Sequence, residues 1–462
     1  MPYFIPPDGR ELVDREDSLI QEILPLRFSV LQFAFSICAF AGEILAQSRP
    51  SHSLRLSGKD MTIFEDRSGQ LTLKDVLESS GSNSFRPSGM ETPYYGFTSS
   101  AIWVRLDLRR RGEDPLWFLE VEEPLLHDVE FYGPVISGEI PVKRESGRLV
   151  EFDKREIPHR KILFALTLSD TAQTYYVRIR SRDNVTVPLR LWPRREFFLQ
   201  ELSDQIRSGI FYGIILALVL YNLFLLVSLK DINYLYYVLY VVSFGALQTT
   251  IDGNFFQILP GAPVWLKWRI PLFTGLSSGV FLLLFTRNFL YLEKSPRIVR
   301  HIHWILLAAI GLLFVLSFTD ATMVFSSRYA NSVSAATTLY AIGCAIYRTY
   351  TGFKPARYFT AGWLILLSGV LAASLVNLGF FPPNSLTKHW VQAGFFAELL
   401  LFSFALADRI NLLRAQKEDS DRKAMEAQTM AARELERLVK ERTRELSVAN
   451  ATKDRFFSYY ST

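Results

Sequence analysis

The chain has 462 residues, of which 49% are hydrophobic, 14% aromatic and 21% charged, and its formal net charge is +5. This composition is too apolar for a disordered chain and too charged for a protein that lies wholly within lipid. The basic residues flank apolar runs instead of clustering in one segment, which argues against nucleic-acid binding. Cys38 and Cys344 both lie in apolar stretches, so disulfide frameworks and cysteine-rich metal sites are excluded.

Residues 1–46 form an N-terminal segment with an apolar run at 26–46. The uninterrupted apolar part of this run is shorter than the roughly 20 residues of a spanning helix, which is typical of a secretory signal peptide. The preceding residues are acidic, whereas a signal peptide begins with basic residues. The alternatives are therefore a start site nearer Leu26 and a run that is retained as a membrane anchor.

Residues 47–200 predict an extracellular antiparallel β-sandwich with a jelly-roll-like arrangement. Short runs of alternating apolar and polar residues recur about every ten residues, separated by glycine, proline, aspartate and serine. The predicted strands cover residues 101–109, 117–122, 127–132, 162–168, 175–180 and 185–191.

Aromatic residues give this domain a candidate ligand-binding face. Tyr95, Trp103 and Trp117 are the chosen candidates, with Tyr94 and Phe97 beside them. The alternative is that the tryptophans point inward, because aromatic side chains dominate the packing of β-sandwiches. Two lone histidines, 127 and 159, have no partners at ligand spacing, so we predict neither a metal site nor a cofactor.

Residues 206–407 predict a bundle of seven transmembrane helices. The apolar segments cover residues 209–227, 234–250, 270–285, 304–318, 329–347, 358–378 and 390–407, and several are only just long enough for the roughly 30 Å hydrocarbon core. With the β-domain outside, the cytoplasmic loops carry eight basic residues and the opposite loops four, in agreement with the positive-inside rule. An odd number of spans places the C-terminus in the cytoplasm.

Polar residues inside the predicted spans are expensive and therefore candidates for function. Glu398 and Asn222 within the spans, and Asp408 directly after the last span, are the candidates for signal relay. The alternative is that such residues form hydrogen bonds between helices and hold the bundle together. Milder candidates in the spans are Gln248, Asn331, Asn377 and Gln392.

Residues 408–462 predict a cytoplasmic signalling helix, because no proline or glycine occurs from Phe395 onward. A heptad pattern places Met425, Ala432, Val439 and Leu446 at one seam position. We expect a marginal coiled coil that joins two copies through residues 408–455, with a solvated charged helix as the alternative. A coiled coil with two packings of similar energy is suited to switching.

Three blocks of sequence resemble the bacterial seven-transmembrane receptors with diverse intracellular signalling modules. The start of the membrane region resembles theirs, and so do the extracellular β-domain, of carbohydrate-binding-like fold, and the last membrane helix. These blocks read GIFYGII (209–215), YNLF (221–224), SLKD (228–231) and YLYY (234–237); YGFT (95–98), WVR (103–105), YYVR (175–178) and PL (188–189); and ELL (398–400) with ALADRI (405–410). The resemblance implies a multi-pass receptor of the bacterial inner membrane that senses a carbohydrate-like small molecule.

The tail resembles the linker that precedes histidine kinase domains, at LVKERTREL (438–446) and KDRFFS (453–458). Where such kinases carry the phosphoacceptor histidine, this sequence has Thr462, and the remaining kinase motifs are absent from it. We therefore expect no catalytic domain and an output through a kinase or response-regulator partner. The alternatives are the sensor half of a truncated histidine kinase, a membrane transporter and, more distantly, a membrane-bound hydrolase.

Overall fold

A computed structural model describes residues 54–56, 60–79, 85–90, 92–135, 141–377 and 385–460. The predicted export segment at 26–46 lies outside these residues. Within them the chain forms a β-domain followed by a bundle of helices. We call the end of the bundle next to the β-domain its outer end and the opposite end its inner end.

The β-domain consists of antiparallel strands and one short helix. Its strands are β1 (Leu54–Leu56), β2 (Thr62–Asp66), β3 (Arg86–Pro87), β4 (Tyr94–Phe97), β5 (Ala101–Leu108), β6 (Leu116–Val121), β7 (Asp128–Tyr132), β8 (Lys143–Ser146), β9 (Ile162–Thr167), β10 (Gln173–Arg180), β11 (Asn184–Thr186) and β12 (Leu189–Pro193), and helix α1 is Leu73–Ser79. The strands form a six-stranded sheet in the order β3-β2-β5-β10-β7-β8, a four-stranded sheet in the order β1-β12-β6-β9, and a pair β11-β4.

Alternating side chains of the two larger sheets meet in one apolar core. Val177 in β10 lies opposite Val104 in β5 and Phe131 in β7, and all three are fully buried. Leu119 in β6 contributes from the other sheet, where it lies opposite Phe164 in β9. The predicted sandwich of short antiparallel strands is therefore confirmed in its general architecture.

The predicted strand at 185–191 is wrong in one respect, because it is two strands in different sheets. β11 ends at Thr186 and β12 begins at Leu189. Pro188 lies between them and has no N–H group to donate to a neighbouring strand, although its carbonyl accepts from Glu122. The change of sheet at this proline leads β12 towards the bundle.

Among the described residues, seven helices after the β-domain have twenty residues or more. The helices are α2 (Arg194–Leu229), α3 (Ile232–Ile251), α4 (Asn254–Ile258), α5 (Val264–Phe289), α6 (Arg297–Leu316), α7 (Asp320–Tyr350), α8 (Ala356–Asn377) and α9 (Ser385–Tyr460). Each predicted span overlaps one of the seven long helices. By length and apolar composition, α2, α3, α5 and α6 are able to cross a membrane. The full count of seven crossings stays a prediction.

The bundle has an aromatic interior and an apolar exterior. Phe402 of α9 stacks on Phe359 of α8 with ring centroids 4.4 Å apart, and Phe285 of α5 lies 5.7 Å from Phe402. Leu220 and Val315 belong to a large set of apolar side chains that point outward from the helices. An outer surface of this kind is suited to lipid.

Candidate functional site

The β-domain passes into the bundle without a linker. β12 ends at Pro193, and the same residue is the N-cap of α2. Phe197 in the first turn of α2 is buried against Trp192 of β12 and Phe118 of β6, with ring centroids 6.2 and 5.1 Å away. β12 and the first turn of α2 are therefore packed together as well as covalently continuous.

A buried ionic cluster joins the two parts beside this passage. Arg160, in the loop before β9, donates from Nε and Nη2 to the two carboxylate oxygens of Glu201 in α2, at 2.7 and 3.1 Å. Both side chains are 7% exposed. Lys161 Nζ lies 3.1 Å from Glu120, 3.2 Å from Glu201 and 3.3 Å from Asp204. Because each of these buried charges has a partner of opposite sign, losing one partner is costly.

The loop that carries Arg160 also meets the outer end of α3 through backbone atoms. Gly253 follows α3 with a φ of +78°, and a Cβ at this position would lie 2.2 Å from the Arg160 carbonyl oxygen. Arg160 Nη1 donates to the Asp252 carbonyl oxygen at 3.4 Å, and the Asp252 carboxylate accepts from Tyr212 of α2 at 2.8 Å. Only glycine permits this approach, so the β-domain contacts α3 as closely as α2.

A second contact joins the β-domain to the start of α5. The ring of Trp268 lies 5.8 Å from the His127 ring and 5.5 Å from the Arg182 guanidinium, beside a cleft of about 930 Å³ lined by both polar and apolar side chains. His127 is buried and forms hydrogen bonds with Ser181 at 2.5 Å and with Arg148 at 3.0 Å. Burial, and secondly the charge of Arg148, lower the pKa of His127 to about 3, so the imidazole is neutral near pH 7.

A cavity of about 770 Å³ lies between the β-domain and the helices. The β-domain roofs it with Phe97, Glu123, Arg148 and Asp183, and helices α3, α5, α7 and α8 form its walls. Its volume lies within the roughly 300–1,000 Å³ typical of small-molecule sites. The cavity is open on one side, because Asn331 and Ser334 in its α7 wall are exposed, so solvent, lipid or a ligand is able to enter it.

One wall of the cavity forms a hydrogen bond with Glu398, the first of the predicted residues for signal relay. Tyr240 of α3 lines the cavity, and its hydroxyl donates to Glu398 Oε1 in α9 at 3.2 Å. Glu398 is fully buried. One turn away, the Tyr237 hydroxyl donates to the Leu399 carbonyl oxygen at 2.8 Å. Two tyrosines of α3 thus hold α9 at this level, so the predicted bond between helices is present.

The inner end of the bundle holds α9 through Arg409, the neighbour of the predicted Asp408. Arg409 is 7% exposed, its Nη1 lies 3.4 Å from the Asp231 carboxylate, and its Nε donates to the Tyr291 hydroxyl at 3.1 Å. Asp231 is the N-cap of α3. Asp408 is half-buried and lies 3.8 Å from Arg357. Arg409 is therefore the more deeply held of the two neighbours.

The other polar residues of the predicted spans have varied surroundings. Asn222 is fully buried, but its amide donates to the Leu218 carbonyl oxygen of its own helix, and its Oδ1 has no partner among the described residues. Gln248 donates to Asp252 at 2.9 Å. Asn331 lines the cavity. The side chains of Asn377 and Gln392 lie outside the described residues.

The three aromatic candidates of the β-domain are not brought together at one surface. Trp103 is fully buried under α1, where it stacks on Tyr132 at 5.8 Å. Trp117 is 4% exposed in the main core, and its Nε1 donates to the Asp114 carbonyl oxygen. Tyr95 is half-buried against the same core. The tryptophans therefore occupy the inward positions that the alternative interpretation gives them.

The residues that the sequence did not predict belong to the buried ionic cluster around Arg160 and to the ion pair of Asp231 with Arg409. Arg160, Glu201 and Asp231 lie far apart in the sequence, and no motif joins them. Position is the signal for Arg160 and Asp231, which lie just before a predicted strand and an apolar segment, whereas Glu201 lies eight residues before the nearest apolar segment. Phe97 lies two residues after Tyr95, and it is the aromatic side chain of this group that reaches the cavity.

Comparison with known families agrees with this division of the chain. Residues 204–409 match the family model described as 7TM diverse intracellular signalling, and residues 58–193 match that described as 7TMR-DISM extracellular 2. The chain belongs to the seven-transmembrane receptors with diverse intracellular signalling. No curated protein matches it. This receptor is accordingly a membrane signalling protein with an extracellular domain, and the boundary between its two matches falls at the passage from β12 into α2.

Proposed function

We propose that this receptor senses a small molecule outside the cytoplasm, of carbohydrate-like chemistry, and passes the signal through seven membrane helices to its cytoplasmic tail. The observation that carries the proposal is that α3 contacts the β-domain at one end and the exit of α9 at the other. Asp252 and Gly253 lie at the outer contact, and Asp231 pairs with Arg409 at the inner one. Its 20 residues span about 30 Å, the thickness of the hydrocarbon core.

Between its two ends, α3 makes one further set of contacts with α9 in the proposed transmission. Tyr237 and Tyr240 lie between the two ends of α3 and donate to Leu399 and Glu398. A shift of α3 along its axis moves these donors relative to α9 and strains the ion pair of Arg409. In this proposal Glu398 relays the signal, and Asp408 adjusts the exit through Arg357.

The proposed output element is a dimer formed by the tail helices. α9 continues without a break to Tyr460, and from residue 420 to residue 451 its side chains are exposed, including Met425, Leu435, Val439 and Leu446. Apolar groups of this size at heptad-like spacing favour pairing with a second copy over solvation. We propose that residues 408–455 form this homodimer and that it acts on a kinase or response-regulator partner, with no catalytic group in the chain itself.

The second candidate is the sensor half of a histidine kinase, supported by the kinase-type linker sequence at 438–446. Both candidates place the receptor in a bacterial inner membrane, with its β-domain outside and its tail in the cytoplasm. They differ in where the phosphoryl chemistry resides. An in-frame kinase region in the coding DNA after codon 462 favours the second candidate.

Disulfide cross-linking of the tail tests the proposed transmission without knowledge of the ligand. Single cysteines at residues 425–446 are cross-linked in native membranes, in the parent and in Arg160→Ala. We expect Arg160→Ala to change which positions cross-link, and Tyr240→Phe to abolish that change. The matched control is Arg110→Ala, because Arg110 pairs with the exposed Asp170 on the β-domain surface. Identical cross-linking in all variants would refute transmission to the tail.

A further inference from the structure

The 770 Å³ cavity has a polar wall on α7 and mainly apolar walls on α3, α5 and α8. Ser327, Asn331, Ser334 and Thr338 lie on one face of α7, at spacings of three and four residues, and all four line the cavity. The facing walls on α3 and α5 are lined mainly by leucine, phenylalanine and glycine. A molecule that fills this space has to offer hydrogen-bonding groups on one side and hydrocarbon on the other.

Buried groups around the cavity have unused hydrogen-bonding capacity. Within the described part of the chain, Thr337 Oγ1 and Trp363 Nε1 have no partner, although these residues are only 1% and 3% exposed and line the cavity. In the roof, Arg148 Nε and Asp183 Oδ1 are likewise unpartnered. Unsatisfied buried polar groups are costly, so a ligand with several donors and acceptors is favoured here.

The charges of the roof select against an anionic head group. Glu123 and Asp183 are acidic, and Arg148 already pairs with Asp183 at 2.5 Å. Two acidic residues and one basic residue give the roof a formal charge of −1. No positive charge remains in excess for a phosphate, whereas carboxylate and guanidinium groups together donate to and accept from hydroxyls.

We propose that this cavity is the ligand site of the receptor and that it takes an uncharged amphiphile. A hydroxyl-bearing head lies beneath the β-domain, and an alkyl chain lies between α3, α5 and α7. The proposal rests on the proposed receptor function but places recognition in the bundle rather than on a face of the β-sandwich. A glycolipid of the membrane and a free alkyl glycoside share this chemistry, and the experiment distinguishes the two sources.

Quenching of Trp363 fluorescence by a brominated alkyl chain tests the proposal. The full chain is placed in phosphatidylcholine nanodiscs, and a brominated alkyl glucoside is either added from water or built into the bilayer as a brominated glycolipid. We expect saturable quenching that Trp363→Phe removes. Quenching from water identifies a free amphiphile, and quenching only from the bilayer identifies a membrane lipid. Absence of Trp363-dependent quenching in both arms would overturn the proposal.

The charge of the ligand head group and the need for an unfilled cavity are tested separately. A brominated alkyl phosphate of the same chain length is expected to bind at least tenfold more weakly, and equal binding would overturn the uncharged head. Gly275→Leu fills the cavity, since a Cβ at Gly275 lies 3.8 Å from Leu247, an ordinary contact. We expect it to weaken glucoside binding at least tenfold. Gly311→Leu on α6 is the matched control, because a Cβ at Gly311 meets no atom of the described residues within 4 Å.

A separate variant guards against misfolding of the leucine variant. Thr337→Val keeps the shape of the side chain and removes its hydroxyl, and we expect it to weaken glucoside binding severalfold. If Gly275→Leu and Thr337→Val both bind like the parent, the cavity is not the site. Tail cross-linking that still responds to Arg160→Ala would then show that the receptor function stands while the assigned ligand site fails.

Discussion

Replacing Arg160 by alanine leaves Glu201 buried without its bidentate partner. Both side chains are 7% exposed, and their two hydrogen bonds measure 2.7 and 3.1 Å. Lys161 still lies 3.2 Å from Glu201, so the charge keeps one partner, and we expect the loss of the two charged hydrogen bonds to cost about 1.5–3 kcal/mol. This is a change of roughly 10- to 150-fold in the equilibrium between docked and undocked states of the β-domain.

Hydrogen exchange of the amides of residues 194–208, measured in nanodiscs, reports this equilibrium. We expect exchange there to accelerate by that factor in Arg160→Ala. The double variant Arg160→Met with Glu201→Leu should recover part of the loss, because an apolar replacement of a buried pair is often nearly neutral.

Arg110→Ala is the matched control for Arg160→Ala. Its bidentate partner Asp170 is 79% exposed, so we expect a loss of at most about 1 kcal/mol. If the residues of α2 exchange no faster in Arg160→Ala than in Arg110→Ala, the cluster does not hold the two parts together and the reasoning fails.

Three further predictions concern the same path. Gly253→Ala should destabilise docking of the β-domain by about 2 kcal/mol or more, because residue 253 has a left-handed backbone conformation and the new Cβ clashes with the β-domain loop. Gly261→Ala should not, because the space at its Cβ is open among the described residues. Hydrogen exchange of the amides of residues 158–161 measures the difference. His127 is neutral when folded, with a pKa of about 3, but takes up a proton below about pH 6.5 when unfolded. Its contribution to the free energy of unfolding of the β-domain is therefore fully present above pH 6.5. This contribution is lost as the pH falls, and the loss is about 2 kcal/mol at pH 5. His127→Gln should remove this dependence and the exposed His301→Gln should not, as measured by exchange of the β-domain at several pH values. Glu398→Gln should leave expression normal but block the effect of Arg160→Ala on tail cross-linking. A double variant that still cross-links like Arg160→Ala alone would retire the relay role.

Local patterns in the sequence predict much of the fold for physical reasons. Strands such as β5 and β10 alternate inward and outward residues, and this alternation is visible without any partner. Each predicted span overlaps a long helix because apolar runs of that length form helices in most environments. The tail is one helix because no proline or glycine interrupts it.

The candidate site was harder to predict because it depends on contacts between distant residues. The pair of Arg160 with Glu201 joins a loop to a helix, and that of Asp231 with Arg409 joins the first turn of the bundle to its last helix. In the sequence, a lone arginine near an apolar segment is equally consistent with a member of a buried ion pair and with a charge that orients the protein in the membrane. Trp103 shows the same limit, because its pattern fits a binding face and a core equally well.

The side of the membrane on which each part lies is the central claim of the account, and cysteine labelling in intact cells tests it directly. Met90 in the β-domain and Met430 in the tail are 55% and 72% exposed, so Met90→Cys and Met430→Cys are matched sites. A background with Cys38→Ser is used, in which the remaining Cys344 is buried. We predict that a membrane-impermeant maleimide labels position 90 in intact cells and position 430 only after lysis. Labelling of both positions in intact cells, or of neither before lysis, would contradict a signal that crosses the bilayer.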